Sequence, residues 1–125
     1  MSGLRRLVVG VLVACALSTG SAYAAFYAFE SITIDATTGG KGFTASKITP
    51  NGQPLMTFAQ CRLELAEIRY LWVDPAQTAV TATVGTLLEV GEFLTFVSRE
   101  EMTNFRAIRT GAVSGQLDCT YKAVQ

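Results

Sequence analysis

Two cysteines, a few carboxylates, three arginines and an aromatic pair carry whatever chemistry this sequence can do, because histidine is missing from all 125 positions. Its absence removes the usual general base, the Ser-His-Asp arrangement and the commonest zinc and copper ligand. Glu64 and Glu67, with Asp74, are the nearest approach to the carboxylate pair of a glycoside hydrolase. Strand positions three apart point to opposite faces, however, and a solvated face accounts for them more simply. Ser46 and Lys47 fail as a Ser-Lys dyad for a related reason, since neighbours on a strand point apart. Glu89, Glu92 and Asp118 offer oxygens to calcium, but in no EF-hand run. The sequence therefore leads us to expect no catalytic residues, no metal and no cofactor, and a small hydrolase is the weakest functional reading.

Binding residues are easier to nominate. Tyr70 and Trp72 share one phase of a strand with Arg69 between them. With Ile68 on the same side, core packing is the plain interpretation; at a sandwich rim the same rings would stack against sugars or a partner. Arg106 and Arg109, three apart on a strand, do not form one anion clamp. One is expected in solvent and the other paired with Glu89 or Glu92, the functional alternative being a contact to a neighbouring subunit or a glycan carboxylate. The run Phe26-Tyr27-Ala28-Phe29 is too aromatic to bury in a small domain, and it reads as an edge strand able to pair with another chain.

These residues sit behind a segment of different character. Arg5 and Arg6, an apolar run over residues 7–17 and the small residues ending Ala22-Tyr23-Ala24 make up the three regions of a signal peptide, with cleavage expected after Ala24. Eleven apolar residues fall short of the roughly 20 that a spanning helix needs, so no stable membrane span is expected. The alternative processing is a lipoprotein anchored at Cys15, since Leu12-Val13-Ala14-Cys15 resembles a lipobox. Residues 25–125 then form one exported domain, periplasmic or extracellular. Ten Lys plus Arg, less Arg5 and Arg6, stand against ten Asp plus Glu, a net charge of −2 that attracts no nucleic acid. Cys61 and Cys119 are expected to oxidise to one disulfide in that compartment, the alternative being two buried thiols.

Hydrophobic alternation gives the elements. Strands are expected over residues 26–35, 43–48, 56–72, 78–84, 93–97, 105–110 and 116–122, with a short strand or turn at 87–90. Gly39-Gly40-Lys41-Gly42 lacks P-loop spacing and reads as a turn, as do Pro50-Asn51-Gly52 and Asp74-Pro75. In the long stretch 56–72 the apolar residues occupy odd positions to Leu65 and even ones from Ile68, which demands a β-bulge or break near Ala66 and Glu67. Ser98 followed by Glu101 is a capping-box pattern that starts a short helix over Arg99–Asn104. About eight short strands and one helix specify an all-β, two-sheet sandwich, jelly-roll-like, with the cysteine bridge tying the last strand to the central one inside the core.

Arg69-Tyr70, Asp74, Val84-Gly85, Leu87-Leu88-Glu89, Gly91, the segment Asn104-Phe105-Arg106-Ala107-Ile108-Arg109-Thr110-Gly111, Leu117 and Tyr121 resemble a set of small all-β proteins of tailed phages and prophages. The likeness runs from Ile32 to Tyr121 and implies a virion-type or surface accessory sandwich without enzyme activity. The chain departs from that set in its connection over residues 73–78 and in its export signal; a bacterial gene reusing the fold outside the cytoplasm accounts for both. The function expected is thus binding or assembly, through self-association or with another surface or virion protein. A carbohydrate-binding or adhesion module, with a glycan as partner, is the runner-up.

Overall fold

The computed structural model describes residues 25–52, 54–73 and 79–124. The expected signal peptide, its Cys15 and the Asp74-Pro75 turn lie outside the described residues. The elements are β1 (Ala25–Ile34), α1 (Ala45–Ile48), β2 (Phe58–Glu64), β3 (Ile68–Trp72), β4 (Thr86–Leu88), β5 (Phe93–Phe96), α2 (Arg99–Asn104), β6 (Phe105–Arg109) and β7 (Gly115–Val124). They form two antiparallel sheets, ordered β1-β7-β2-β5 and β4-β3-β6. The all-β sandwich expected from the alternation is the architecture found.

Alternation decides which face each strand turns inward. On β2 the residues Ala59, Cys61 and Leu63 are buried while Gln60 and Arg62 are exposed, and β7 repeats the pattern with Leu117, Cys119, Tyr121 and Ala123. Register places Cys61 directly opposite Cys119, and the two are joined as a disulfide with a Cα–Cα distance of 4.0 Å. The bridge lies inside the core, as expected, with both residues fully buried. From the second sheet Ile68, Leu88, Phe105 and Ala107 complete the filling, and Ile48 of α1 and Met102 of α2 close one end.

The break in the long stretch 56–72 is larger than the expected bulge. β2 and β3 belong to different sheets, so residues 65–67 are the corner where the chain crosses between them. Leu65 takes φ 72° and Ala66 N–H donates to Glu64 O at 3.0 Å, the three-residue turn in which a side chain is strained. The apolar row therefore ends at Leu63, and Leu65, expected inward, is 70% exposed. Gly115 makes room for this corner, because a Cβ there would lie 2.8 Å from Ala66 O and 2.5 Å from Ile68 Cγ2. Leu65→Gly relieves about 1–2 kcal/mol of left-handed strain, offset by about 0.5–1 kcal/mol of unfolded-chain entropy. A net gain of about 0.5–1 kcal/mol in urea unfolding is expected.

Two expected strands are replaced. Residues 45–48, placed in a strand by alternation, form the single turn α1, in which Ala45, Ser46 and Lys47 face solvent and Ile48 alone is buried. Residues 79–85, with Thr78 outside the described set, form no strand despite their β-branched composition. They fold back through Thr81 and Val84, whose backbones exchange two hydrogen bonds of 3.1 and 3.2 Å. Val80 is buried in this segment although it is not in the sandwich core. Arg69 holds the segment in place, donating from Nε to Ala82 O at 3.1 Å and from Nη1 to Gly85 O at 2.8 Å. Gly85, at φ 127°, lets the chain pass over Tyr70, where a Cβ would lie 2.9 Å from the carbonyl oxygen.

Candidate functional site

The nominated residues do not converge on one site. Arg69 is occupied in holding the 79–85 segment. Arg109 donates from Nη1 to Ala112 O at 3.1 Å and so closes the turn before β7. Arg106 donates from Nη1 to Thr103 O at 3.0 Å and Phe105 O at 2.6 Å. The expectation that one arginine pairs with Glu89 or Glu92 is thus corrected: among the described residues both guanidinium groups bind carbonyls, and Glu92 Oε2 instead accepts from Glu89 N–H at 2.7 Å. Short-range carbonyls in the adjoining turns satisfy the donors before a carboxylate can.

The remaining carboxylates are also dispersed. Glu64 pairs with Arg62 at 3.2 Å, while Glu67 accepts from Thr110 Oγ1 at 3.0 Å. Asp118 lies on the outer face of β7, where Ser31 Oγ donates to it at 2.7 Å and Gln116 Nε2 at 3.0 Å. These two donors, Gln116 foremost, hold its carboxyl below the ordinary 3.8. A carboxyl depressed in the fold contributes stability above its unfolded value and loses that contribution as pH falls through the folded value. Thermal melts below about pH 4 should therefore fall less steeply for Asp118→Asn than for the wild type.

Tyr70 and Trp72 do separate from the rest. Trp72 is 48% exposed at the end of β3, with its ring edge-on to Tyr70 at 5.3 Å. Tyr70 packs on Phe105 at 5.9 Å, and burial pushes its hydroxyl above its ordinary value, with Glu92 adding to the effect. Trp72 therefore stands at the rim and Tyr70 backs it from the core. A groove of about 440 Å³ beside Trp72 is lined by Ser98, Glu100, Glu101 and Asn104 of the α2 segment. Across α2, a second groove of about 640 Å³ has Phe43 and Ile48 among its apolar walls and Arg99 and Arg106 as its cations. α2 stands between them because Ser98 Oγ accepts Glu101 N–H at 3.1 Å, while Glu101 Oε2 accepts Val97 N–H at 2.7 Å.

The more continuous surface is the edge of β1. Strand β1 pairs on one side with β7 throughout its ten residues and is the end strand of its sheet. Which backbone groups it leaves unpaired follows from the disulfide. A Cα–Cα distance of 4.0 Å marks Cys61 and Cys119 as a pair that does not exchange hydrogen bonds, so the backbone of Cys119 turns toward β1. Glu30, opposite Cys119, and the other even residues of β1 then bond to β7. The odd residues Ala25, Tyr27, Phe29, Ser31 and Thr33 direct N–H and C=O away from the sheet. Asp35 confirms the parity, since its carbonyl, next in the odd series, accepts Arg109 N–H at 3.1 Å. Beyond that contact the edge has no backbone partner among the described residues.

The edge is apolar as well as open. Tyr27 and Phe29 are 60% and 61% exposed on the outer face. On that face residues 25–33 carry no charge, proline or bulge, and the one edge-protecting device of the segment is the inward-facing charge of Glu30. The opposite edge contrasts with it: β5 has four residues, and Glu101 caps the N–H of Val97 just past its end. On its inner side β1 is anchored by Glu30, which accepts Tyr121 Oη–H at 2.5 Å and the Thr44 hydroxyl. Burial first, and that bond to Glu30 second, raise the Tyr121 hydroxyl far above its ordinary value, so it stays a donor. The sequence singled out the aromatic run but missed Glu30, whose one signal is a charged residue at a core-facing position.

Compared with protein-family models, curated proteins and solved structures, the chain matches none of them.

Proposed function

We propose that this protein is an exported, non-enzymatic β-sandwich that works by assembly, accepting a further strand along the edge of β1. The observation that carries this reading is the ten-residue end strand whose odd backbone groups, from Ala25 to Thr33, have no partner among the described residues. Backbone pairing would supply the affinity and the exposed rings of Tyr27 and Phe29 the selectivity. Export is supported by the Cys61–Cys119 disulfide, which belongs to an oxidising compartment. Among the described residues no helix is long and apolar enough to cross a membrane. A virion-like or cell-surface accessory role, as the likeness to phage proteins implies, fits a module of this kind.

Phe29→Lys tests the reading by placing a charge on the edge without touching the β1–β7 ladder. On native gels of extracts from the producing cells, the assembled form is expected to disappear, while the variant still unfolds cooperatively as a folded single chain. An assembled form unchanged by Phe29→Lys, or none in the wild type, contradicts it.

A second reading rests on the exposure of Trp72 beside its polar groove. There the protein is a carbohydrate-binding or adhesion module, with the indole stacking on a sugar ring and Asn104 and Glu100 offered to its hydroxyls. Glycan-array binding lost in Trp72→Ala with the fold retained would favour this reading.

A further inference from the structure

We infer that the strand taken up by β1 is β1 of a second copy of the same chain, paired antiparallel about a two-fold axis through Phe29. This rests on the edge reading above and goes beyond it by fixing partner and register. Because only odd residues face the edge, hydrogen-bonded positions must join odd to odd. Pairing about Phe29 sets Phe29 opposite the second copy's Phe29, Tyr27 opposite its Ser31 and Ala25 opposite its Thr33. An N–H and a C=O from each of five residues are then satisfied in each copy, giving ten hydrogen bonds across the seam. With the chain cut after Ala24, an axis at residue 28 sets Thr33 opposite a position that cleavage removes, and an axis at residue 30 sets Ala25 opposite Asp35, whose carbonyl Arg109 already occupies.

The ends of the edge support the same register. The pairing stops with the second copy's Ala25 opposite Thr33, one hydrogen-bonded position short of Asp35, whose carbonyl Arg109 already occupies. An isologous interface must be self-complementary, so the side chains that the two-fold brings together have to be compatible with one another. Its side chains agree. Phe29 lies diagonal to Tyr27 of the second copy, so four exposed rings gather round the axis. No outward-facing side chain of the segment is charged, so a copy meets no like charge. On the inner side Glu30 faces the small Ala28 of the second copy, and its carboxylate is already held by Tyr121 and Thr44. The product is one sheet of eight strands, β5-β2-β7-β1 continued by the same four reversed.

The test uses protein expressed from the full coding sequence. Sedimentation equilibrium is expected to give twice the chain mass for wild type and a single chain mass for Phe29→Lys. Phe29→Cys is expected to form a disulfide-linked dimer under mild oxidation, since hydrogen-bonded antiparallel pairs stand about 5.5 Å apart at Cα, within disulfide range. Tyr27→Cys and Ser31→Cys should cross-link to each other when mixed and neither to itself, while Gln60→Cys, on the same face of a central strand, should give no dimer. A monomeric wild type together with a Phe29→Cys variant that forms no linked dimer overturns the inference, as does cross-linking in another register. If an assembled form still depends on Phe29 yet Phe29→Cys gives no cross-link, the edge reading stands and self-pairing falls; if none depends on it, both fall.

Discussion

Replacing Cys61 and Cys119 together by alanine is expected to lower stability by about 4 kcal/mol, the loop-closure entropy restored to the unfolded chain by a separation of 58 residues. For a domain of this size that corresponds to a fall in Tm of roughly 15–30 °C. Calorimetry of the double variant against the oxidised protein measures it. The bridge joins neighbouring strands at the middle of the four-stranded sheet, so its loss also frees β7, with which β1 forms its ladder among the described residues. Because both residues are fully buried, reductant applied to the folded protein should leave the bond intact until the domain opens. Rapid reduction under native conditions, or a double variant as stable as wild type, would contradict the assignment.

Phe105→Ala is expected to cost about 3–5 kcal/mol in urea unfolding, the range for a fully buried aromatic, and Phe105→Leu less than about 1.5 kcal/mol. Phe105 is the ring that joins the layers. It belongs to β6 of the second sheet, stacks on Phe43 at 5.2 Å and meets Phe96 of the first sheet edge-on at 5.1 Å. It also supports Tyr70 at 5.9 Å, so the alanine variant should loosen the Trp72 rim as well. Trp72 fluorescence in the folded variant should therefore shift toward that of a solvated indole. A loss below about 1 kcal/mol would mean that the sheets are not held together at this point.

Alternation made the long strands legible in the sequence. β1, β2 and β7 each bury one face against the other sheet, and a pattern of period two is the direct result. α2 was legible too, because the Ser98 cap acts within four residues of chain. What escaped was decided at a distance. The phase change near residue 66 showed that something interrupts the strand, but a bulge and a change of sheet leave the same pattern; only the pairing of β3 with β4 and β6 distinguishes them. Residues 79–85 have strand composition, yet Arg69 bonds their carbonyls from 13 and 16 positions away, a contact no spacing reveals. Arg106 and Arg109 looked like site residues because arginine often binds ligands, and here nearby carbonyls occupy them. The aromatic run of β1 was legible as an edge because a small domain has too little core for so many rings, and Tyr27 and Phe29 do stand in solvent.

The central claim is that β1 receives another strand through the backbone of its odd residues, and residue-resolved amide exchange tests it most directly. In the assembled protein the amides of Tyr27, Phe29, Ser31 and Thr33 should be protected along with those of Ala28, Glu30 and Ile32. In Phe29→Lys the odd set should exchange rapidly while the even set, bonded to β7, stays protected. Odd amides that exchange equally fast in both proteins would contradict the account.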